Sequence, residues 1–85
     1  MIIKRELWTI FVLDKDEIFD IEIYNNQTFS ELKNEVSKKL KWNVNDVELV
    51  GSIIYGKNYY SKQIKDIDGF HDCMTLYVVI KVSGG

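Results

Sequence analysis

The residues at the carboxyl end of the chain are the first that could take part in chemistry. Gly84 and Gly85 follow a run of alternating apolar residues and close the sequence. Glycines add no packing area and cost backbone entropy when ordered, so a buried strand gains nothing from this ending. A Gly-Gly carboxylate has no side chains to obstruct it and can enter a narrow enzyme cleft. The pattern predicts a flexible tail over residues 83–85 whose end is itself the reactive part; a linker or a frayed terminus is the plainer alternative.

A second group of reactive side chains is the segment His71-Asp72-Cys73. A catalytic cysteine needs a base that is oriented by a third group. A metal site needs ligands that surround the ion, and the sequence offers no second ligand cluster. We therefore interpret the three as loop residues and expect no metal site and no cofactor. Without an acid-base pair or a phosphate-binding loop, the chain is not expected to be an enzyme.

The composition narrows the class of protein. The 85 residues suit one domain, and 46% hydrophobic residues suffice for an efficient small core. The formal net charge is −2, and the sequence has no concentrated run of basic residues. Both observations argue against nucleic-acid binding. No apolar run approaches the ~20 residues of a membrane span. A single cysteine fits a reducing compartment. We expect a monomer in the cytoplasm, or also in the nucleus of a eukaryote, that binds no membrane.

The first half of the chain predicts a hairpin followed by a helix. Residues 1–6 are mixed and form a leader. The residues Leu7 to Leu13 are rich in β-forming types and predict a strand, with the β-branched aliphatic residues Ile10 and Val12 facing inward. The return strand, Ile18 to Tyr24, alternates apolar and charged residues, which indicates one solvated face. A capping box, Thr28 with Glu31, opens a helix over about 29–41 whose outer face includes Lys33 and Ser37.

The second half predicts short strands and one long one. Phe70 is the expected anchor of the loop that precedes the last strand. The expected elements are short strands at Val47–Val50, Ile53–Tyr55 and Tyr59–Tyr60, a helical turn at Ile64–Gly69, and a final strand at Thr75–Val82. A right-handed crossover through the helix would cover one face of the sheet. The other face would stay solvated.

This order of elements, with this tail, resembles ubiquitin and its small-modifier relatives. The likeness covers residues 7–85 and is sharpest from Thr75-Leu76 to Gly84-Gly85. Gly56-Lys57 looks like the glycine-lysine turn of ubiquitin, and Thr28 heads the helix as in that family. The chain departs from ubiquitin in its leader, in a longer stretch between Val50 and Gly56, and in having no proline. The resemblance implies an α+β, β-grasp fold: a mixed four- to five-stranded sheet with one main helix on one face.

The resemblance also implies a role for the tail. In the family, an activating enzyme adenylates the terminal glycine with ATP and magnesium. The acyl group then passes to a cysteine thioester and finally to a lysine amine of a target protein. Here Gly85 would be the acyl donor and Gly84 would keep its approach clear. Lys81 and Val82 would be inspected by the activating enzyme. The implied partners include a conjugating enzyme, a ligase and a deconjugating protease.

Other positions match the recognition surface of ubiquitin. Val50 and Val79 occupy two positions of its hydrophobic patch, and Tyr77 takes the place of a histidine there. The third position falls in the turn Asp14 to Glu17, which offers no leucine. Lys57 would be a chain-linkage lysine. The plainer alternatives are an ordinary solvated lysine and ordinary strand residues.

Two alternative functions stay open on the sequence. The first is a sulfur carrier of the same fold, whose Gly-Gly end becomes a thiocarboxylate. In such carriers, prolines often precede the tail, and this chain has no proline. The second is a ubiquitin-like domain that is never conjugated and binds partners through its sheet face.

Overall fold

A computed structural model describes residues 5–81 of the chain. Five main elements follow one another: strand β1 (Leu7–Asp14), strand β2 (Glu17–Tyr24), helix α1 (Phe29–Leu40), strand β3 (Val47–Val50) and strand β4 (Thr75–Ile80). Single-turn 3-10 helices lie at Val44–Asp46, Lys57–Tyr59 and Ile64–Asp66. In this part of the chain no helix is both long and apolar enough to cross a bilayer.

The four strands form one mixed sheet in the order β2-β1-β4-β3. β1 pairs with β2 in the antiparallel sense, β1 with β4 in the parallel sense, and β3 with β4 in the antiparallel sense. The two central strands are parallel, so the chain must cross from one to the other outside the sheet. Helix α1 lies in that crossover and covers one face. The predicted α+β fold is confirmed, with four strands.

The core lies between α1 and the inner face of the sheet. Ile10 and Val12 are fully buried, which confirms the predicted direction of β1. Phe70 is buried as expected, and so is Ile64 at the start of the last 3-10 helix. The other large, fully buried side chains come from β2, α1, β3 and β4: Ile23, Phe29, Leu32, Val36, Val47, Leu49 and Leu76.

Helix α1 begins with the predicted capping box. The Thr28 hydroxyl accepts the Glu31 N–H at 3.2 Å, and the Glu31 carboxylate accepts the Thr28 N–H at 3.4 Å. Hydrogen bonds from the Gln27 side chain and from the Thr28 N–H hold the pKa of Glu31 below its usual value. The helix ends at Leu40, and Lys41 reverses the chain with φ of 61°. A cap of this kind fixes the start of the helix at one residue.

The prediction that Lys33 and Ser37 lie on the outer face of the helix was wrong. Both residues are buried. The chain after β3 folds back over this side of α1, and the Lys33 ammonium donates to the Tyr60 hydroxyl at 2.7 Å. The Ser37 hydroxyl donates to the Asn34 carbonyl at 2.8 Å. The long aliphatic stem of Lys33 can be covered while its ammonium keeps a hydrogen bond, and the small Ser37 side chain can be covered while its hydroxyl keeps one.

Two predicted short strands are absent from the described residues. In the segment Ile53–Tyr55, only Ile54 makes a bridge, to Val50. Tyr59 lies in a 3-10 helix, and Tyr60 follows it. Packing of aromatic rings overrides strand propensity here, because Tyr55 is buried and the Tyr59 ring meets it edge to face at 5.2 Å.

Candidate functional site

Lys81 is the last residue of the predicted tail site that the structure describes. Its N–H donates to the Asp46 carbonyl at 2.6 Å, one position beyond the end of β4. Its ammonium lies 3.0 Å from the Glu48 carboxylate. Exposed ion pairs of this kind contribute about 0–1 kcal/mol, so a partner can compete for the Lys81 charge. Val82, Gly84 and Gly85 lie outside the described residues, and their predicted roles stay predictions.

The three predicted patch residues lie together on the face of the sheet away from the helix. Val50 pairs with Tyr77, and Val79 pairs with Glu48 on the same pair of strands. Tyr77 is 53% exposed and Val79 is 47% exposed, while Val50 is half-buried. Exposed apolar side chains are common when scattered, but here they are neighbours. They form one surface that a partner protein could contact.

Sequence reasoning missed the rest of this surface. Leu13 pairs with both Ile18 and Tyr77, so one line of apolar side chains crosses all four strands. We call this line the apolar row; its members, in order across the sheet, are Ile18, Leu13, Tyr77 and Val50, and Ile54 bridges to its end. A signal was present. The period of two that turns Ile10 and Val12 inward turns Leu13 outward.

The charges beside the apolar row are mainly negative. Asp20 and Glu22 are exposed on β2, paired with Phe11 and Thr9 of β1. Neither is among the ion pairs found within residues 5–81. On the opposite side, Glu48 is already paired with Lys81. A partner of this face would therefore gain from basic side chains placed next to apolar ones.

Lys57 begins the 3-10 helix Lys57–Tyr59 and is exposed. The reversal that follows β3 lies earlier, where the Gly51 N–H donates to the Ile53 carbonyl at 2.9 Å. Gly56-Lys57 therefore lies after this reversal and not in it. The role of Lys57 as a linkage lysine stays a prediction.

The segment His71-Asp72-Cys73 is a turn fastened to β1. The Cys73 N–H donates to the Thr9 carbonyl, and the Asp72 carboxylate accepts the Thr9 N–H, both at 2.8 Å. Cys73 takes φ of 66°, a conformation that non-glycine residues seldom adopt. Within residues 5–81, no group of three or more His, Cys, Asp or Glu side chains could hold a metal ion. The hydrogen bonds of this turn give it a structural role.

We expect the Cys73 thiol to be a poor nucleophile. Desolvation, and next the charge of Asp72, raise the pKa of the thiol above its usual value. The thiolate is the reactive form, so alkylation by iodoacetamide at pH 8 should be slower than for free cysteine. Asp72→Asn removes the like charge, lowers the pKa and should speed alkylation, while its amide oxygen can still accept from Thr9. Mass spectrometry against time measures both rates; an unchanged rate in the variant would contradict this electrostatic effect.

Solved structures resemble this chain over most of its length. The N-terminal ubiquitin-like domain of the 4931431F19Rik protein is 20% identical with a TM-score of 0.69, over 93% of this chain and 79% of that one. A ubiquitin-like domain from Arabidopsis thaliana is 18% identical with a TM-score of 0.76, over 89% and 79%. A structure described as molecular mimicry of SUMO that promotes DNA repair is 16% identical with a TM-score of 0.71, over 87% and 91%.

No protein-family model matches the chain, and no curated protein matches it. At these identities the structural likeness establishes the fold. The helix in the crossover, the mixed sheet and the solvated sheet face define a ubiquitin-like β-grasp fold. The predicted fold resemblance is confirmed.

Proposed function

We propose that the chain is a ubiquitin-like protein modifier that is activated at Gly85 and joined to lysine amines of target proteins. The observation that carries the proposal is the combination of the ubiquitin-like fold with the sequence that follows β4. Lys81 is bound beside β3, and Val82-Ser83-Gly84-Gly85 come directly after it. Four extended residues span at most about 14 Å. A carboxylate on Gly85 would thus be presented at a short, limited distance from the folded domain.

The chemistry explains why partners are needed. A carboxylate is a poor electrophile, so its oxygen first attacks the α-phosphate of ATP and releases pyrophosphate. An enzyme thiolate then displaces AMP to give a thioester, and a lysine amine displaces the thiol to give an isopeptide bond. The chain itself supplies no catalytic group to these steps. It supplies binding surface that lets the activating enzyme, the conjugating enzyme and the ligase position Gly85. A deconjugating protease would hydrolyse the isopeptide bond with water, which returns the Gly85 carboxylate and the lysine amine.

Intact mass spectrometry tests the proposal. The protein is incubated with ATP, magnesium and activating enzymes from the same cell, and the products are weighed. A thioester or isopeptide adduct through Gly85 is the expected result. A mass gain that corresponds to exchange of one oxygen for sulfur would show a sulfur carrier instead. Absence of any activation by enzymes that accept a Gly-Gly terminus would overturn both.

The apolar row favours a second candidate function, that of a protein-binding domain that is not conjugated. Its side chains, exposed or half-buried, cross all four strands, and Asp20 and Glu22 on the same face are without basic ion-pair partners among the described residues. The occupant that fits is a protein segment with apolar side chains flanked by Lys or Arg. This candidate needs no carboxylate at Gly85. Binding that survives deletion of Gly84-Gly85 would favour it.

Tyr77→Ala should weaken binding of such a segment by about 10-fold or more, as expected for a central, exposed aromatic residue. The probe is an amphipathic peptide with Lys and Arg beside its apolar residues, and the measurement is NMR titration of the labelled domain. Tyr24→Ala is the matched control, because Tyr24 is also an exposed tyrosine but pairs with Leu7, away from the row. An equal loss of affinity in the two variants would contradict the assignment of the apolar row as the binding surface. So would an acidic version of the peptide that binds the wild type as tightly as the basic one.

A further inference from the structure

A cavity of about 360 Å³ opens at the edge of β3, where the chain after Tyr55 folds against helix α1. No member of the apolar row lines it, but Lys81, predicted for tail recognition, and Lys57, predicted as a linkage lysine, do. The polar residues that line it are mainly basic or hydroxyl-bearing: Lys33, Asn45, Glu48, Lys57, Tyr60 and Lys81. Its volume is at the small end of the range for ligand pockets, so it suits a small group.

Lys33 is the unusual residue of this cavity. It is only 8% exposed, yet no carboxylate within residues 5–81 lies in ion-pair distance of its ammonium. Its single hydrogen bond, at 2.7 Å, goes to the neutral hydroxyl of Tyr60, and the ammonium also lies 4.7 Å from the centre of the Tyr60 ring. An ammonium has three donors. A buried charge with so little compensation is costly unless another group pairs with it.

The other charges around the cavity do not neutralise Lys33. Glu48 is the acidic residue of the lining, and its carboxylate lies 3.0 Å from the Lys81 ammonium. Lys57 is exposed and is not in an ion pair with any described residue. Of the three ammonium groups in the lining, only that of Lys81 has a carboxylate partner among the described residues. The cavity carries an excess of positive charge around a buried cation.

We infer that this cavity binds a small oxyanion, a phosphate or a carboxylate group, with Lys33 as its buried anchor. Charge-assisted hydrogen bonds from an ammonium to such oxygens are stronger than the bond to the neutral Tyr60 hydroxyl. Lys57 and Lys81 lie at the rim and add attraction at longer range. The group could belong to a free ion or to a partner's acidic side chain, since both present the same oxygens.

NMR titration of the labelled full chain tests the inference, with inorganic phosphate and acetate as separate probes at constant ionic strength in chloride. The expected result is saturable shifts at Lys33, Gly56, Lys57 and Tyr60. Preference for phosphate would indicate a phosphate ligand, and preference for acetate a carboxylate one. Lys33→Met keeps the aliphatic contacts and should weaken binding at least about 10-fold, because the charged donor is lost.

Lys38→Met is the matched control, since Lys38 is an exposed helix lysine that pairs with Glu35 outside the cavity. It should bind the probes as the wild type does. If Lys33→Met fails to fold, Lys57→Gln and Lys81→Gln provide the second test, and each should weaken binding a few-fold. Shifts that do not saturate with either probe, or that are the same in the rim variants as in wild type, would overturn the inference.

Discussion

Gly84→Val should reduce ATP-dependent activation of the chain by at least about 100-fold, the loss that a small misplacement of a reacting group can cause. A branched side chain beside the Gly85 carboxylate would block a narrow enzyme cleft, and it would restrict the backbone that must extend into it. The measurement is the rate of thioester formation on a cognate activating enzyme, followed on non-reducing gels.

Ser83→Ala is the control for this result, because it changes the same tail and keeps both glycines. It should form the thioester within a few-fold of the wild-type rate. Circular dichroism should show all three proteins folded, since the core is built from residues between Ile10 and Leu76. Thioester formation by Gly84→Val at the wild-type rate would remove the main support for the proposed modifier function.

Phe29→Ala should lower the free energy of unfolding by about 3–5 kcal/mol, the usual cost of deleting a buried aromatic side chain. Phe29 is fully buried at the first turn of α1, and three rings pack around it. The ring centres lie 5.4 Å away for Tyr55, 6.1 Å for Tyr60 and 6.0 Å for Phe70. Native domains have only about 5–15 kcal/mol in total, so the variant should lose a large share of its stability and unfold at a lower temperature.

Urea unfolding followed by circular dichroism measures the effect. Tyr77→Ala is the aromatic control, because Tyr77 is exposed on the solvated face and should cost about 1 kcal/mol or less. Similar losses in the two variants would mean that the aromatic cluster does not hold the segment after β3 against the helix. The Phe29 variant should also disturb the cavity at Lys33, whose partner Tyr60 stacks on the Phe29 ring.

The elements with strong local signals could be predicted from the sequence. Thr28 and Glu31 mark the start of the helix with their own side chains, which satisfy two backbone N–H groups locally. The N–H groups of Phe29 and Ser30 are satisfied by the distant carbonyls of Lys62 and Tyr60, which the sequence did not reveal. Ile10 and Val12 could be oriented because β-branched residues favour the packed face of a sheet. The order of elements then led to the fold through its resemblance to ubiquitin.

What the sequence did not reveal depends on packing between distant segments. The helical pattern places Lys33 on the polar outer face, but its ammonium is bonded to Tyr60, which lies 27 residues further along the chain. Tyr59 has high strand propensity, but its ring packs on Tyr55, and the backbone turns to allow this. The predicted patch was incomplete because Leu13 and Ile18 join it through cross-strand pairing, which a search for matching patch positions does not consider.

The parallel pairing of β1 with β4 has a mechanical consequence. The first strand begins at Leu7 and the last ends at Ile80, and they run side by side in the centre of the sheet. A pull on the two ends of the described chain would slide these strands past each other and load their hydrogen bonds together, in shear. The antiparallel pairing of β4 with β3 and the bond from Lys81 to Asp46 would have to yield as well. The domain should therefore resist a force applied between its two ends better than a sheet whose strands separate one hydrogen bond at a time.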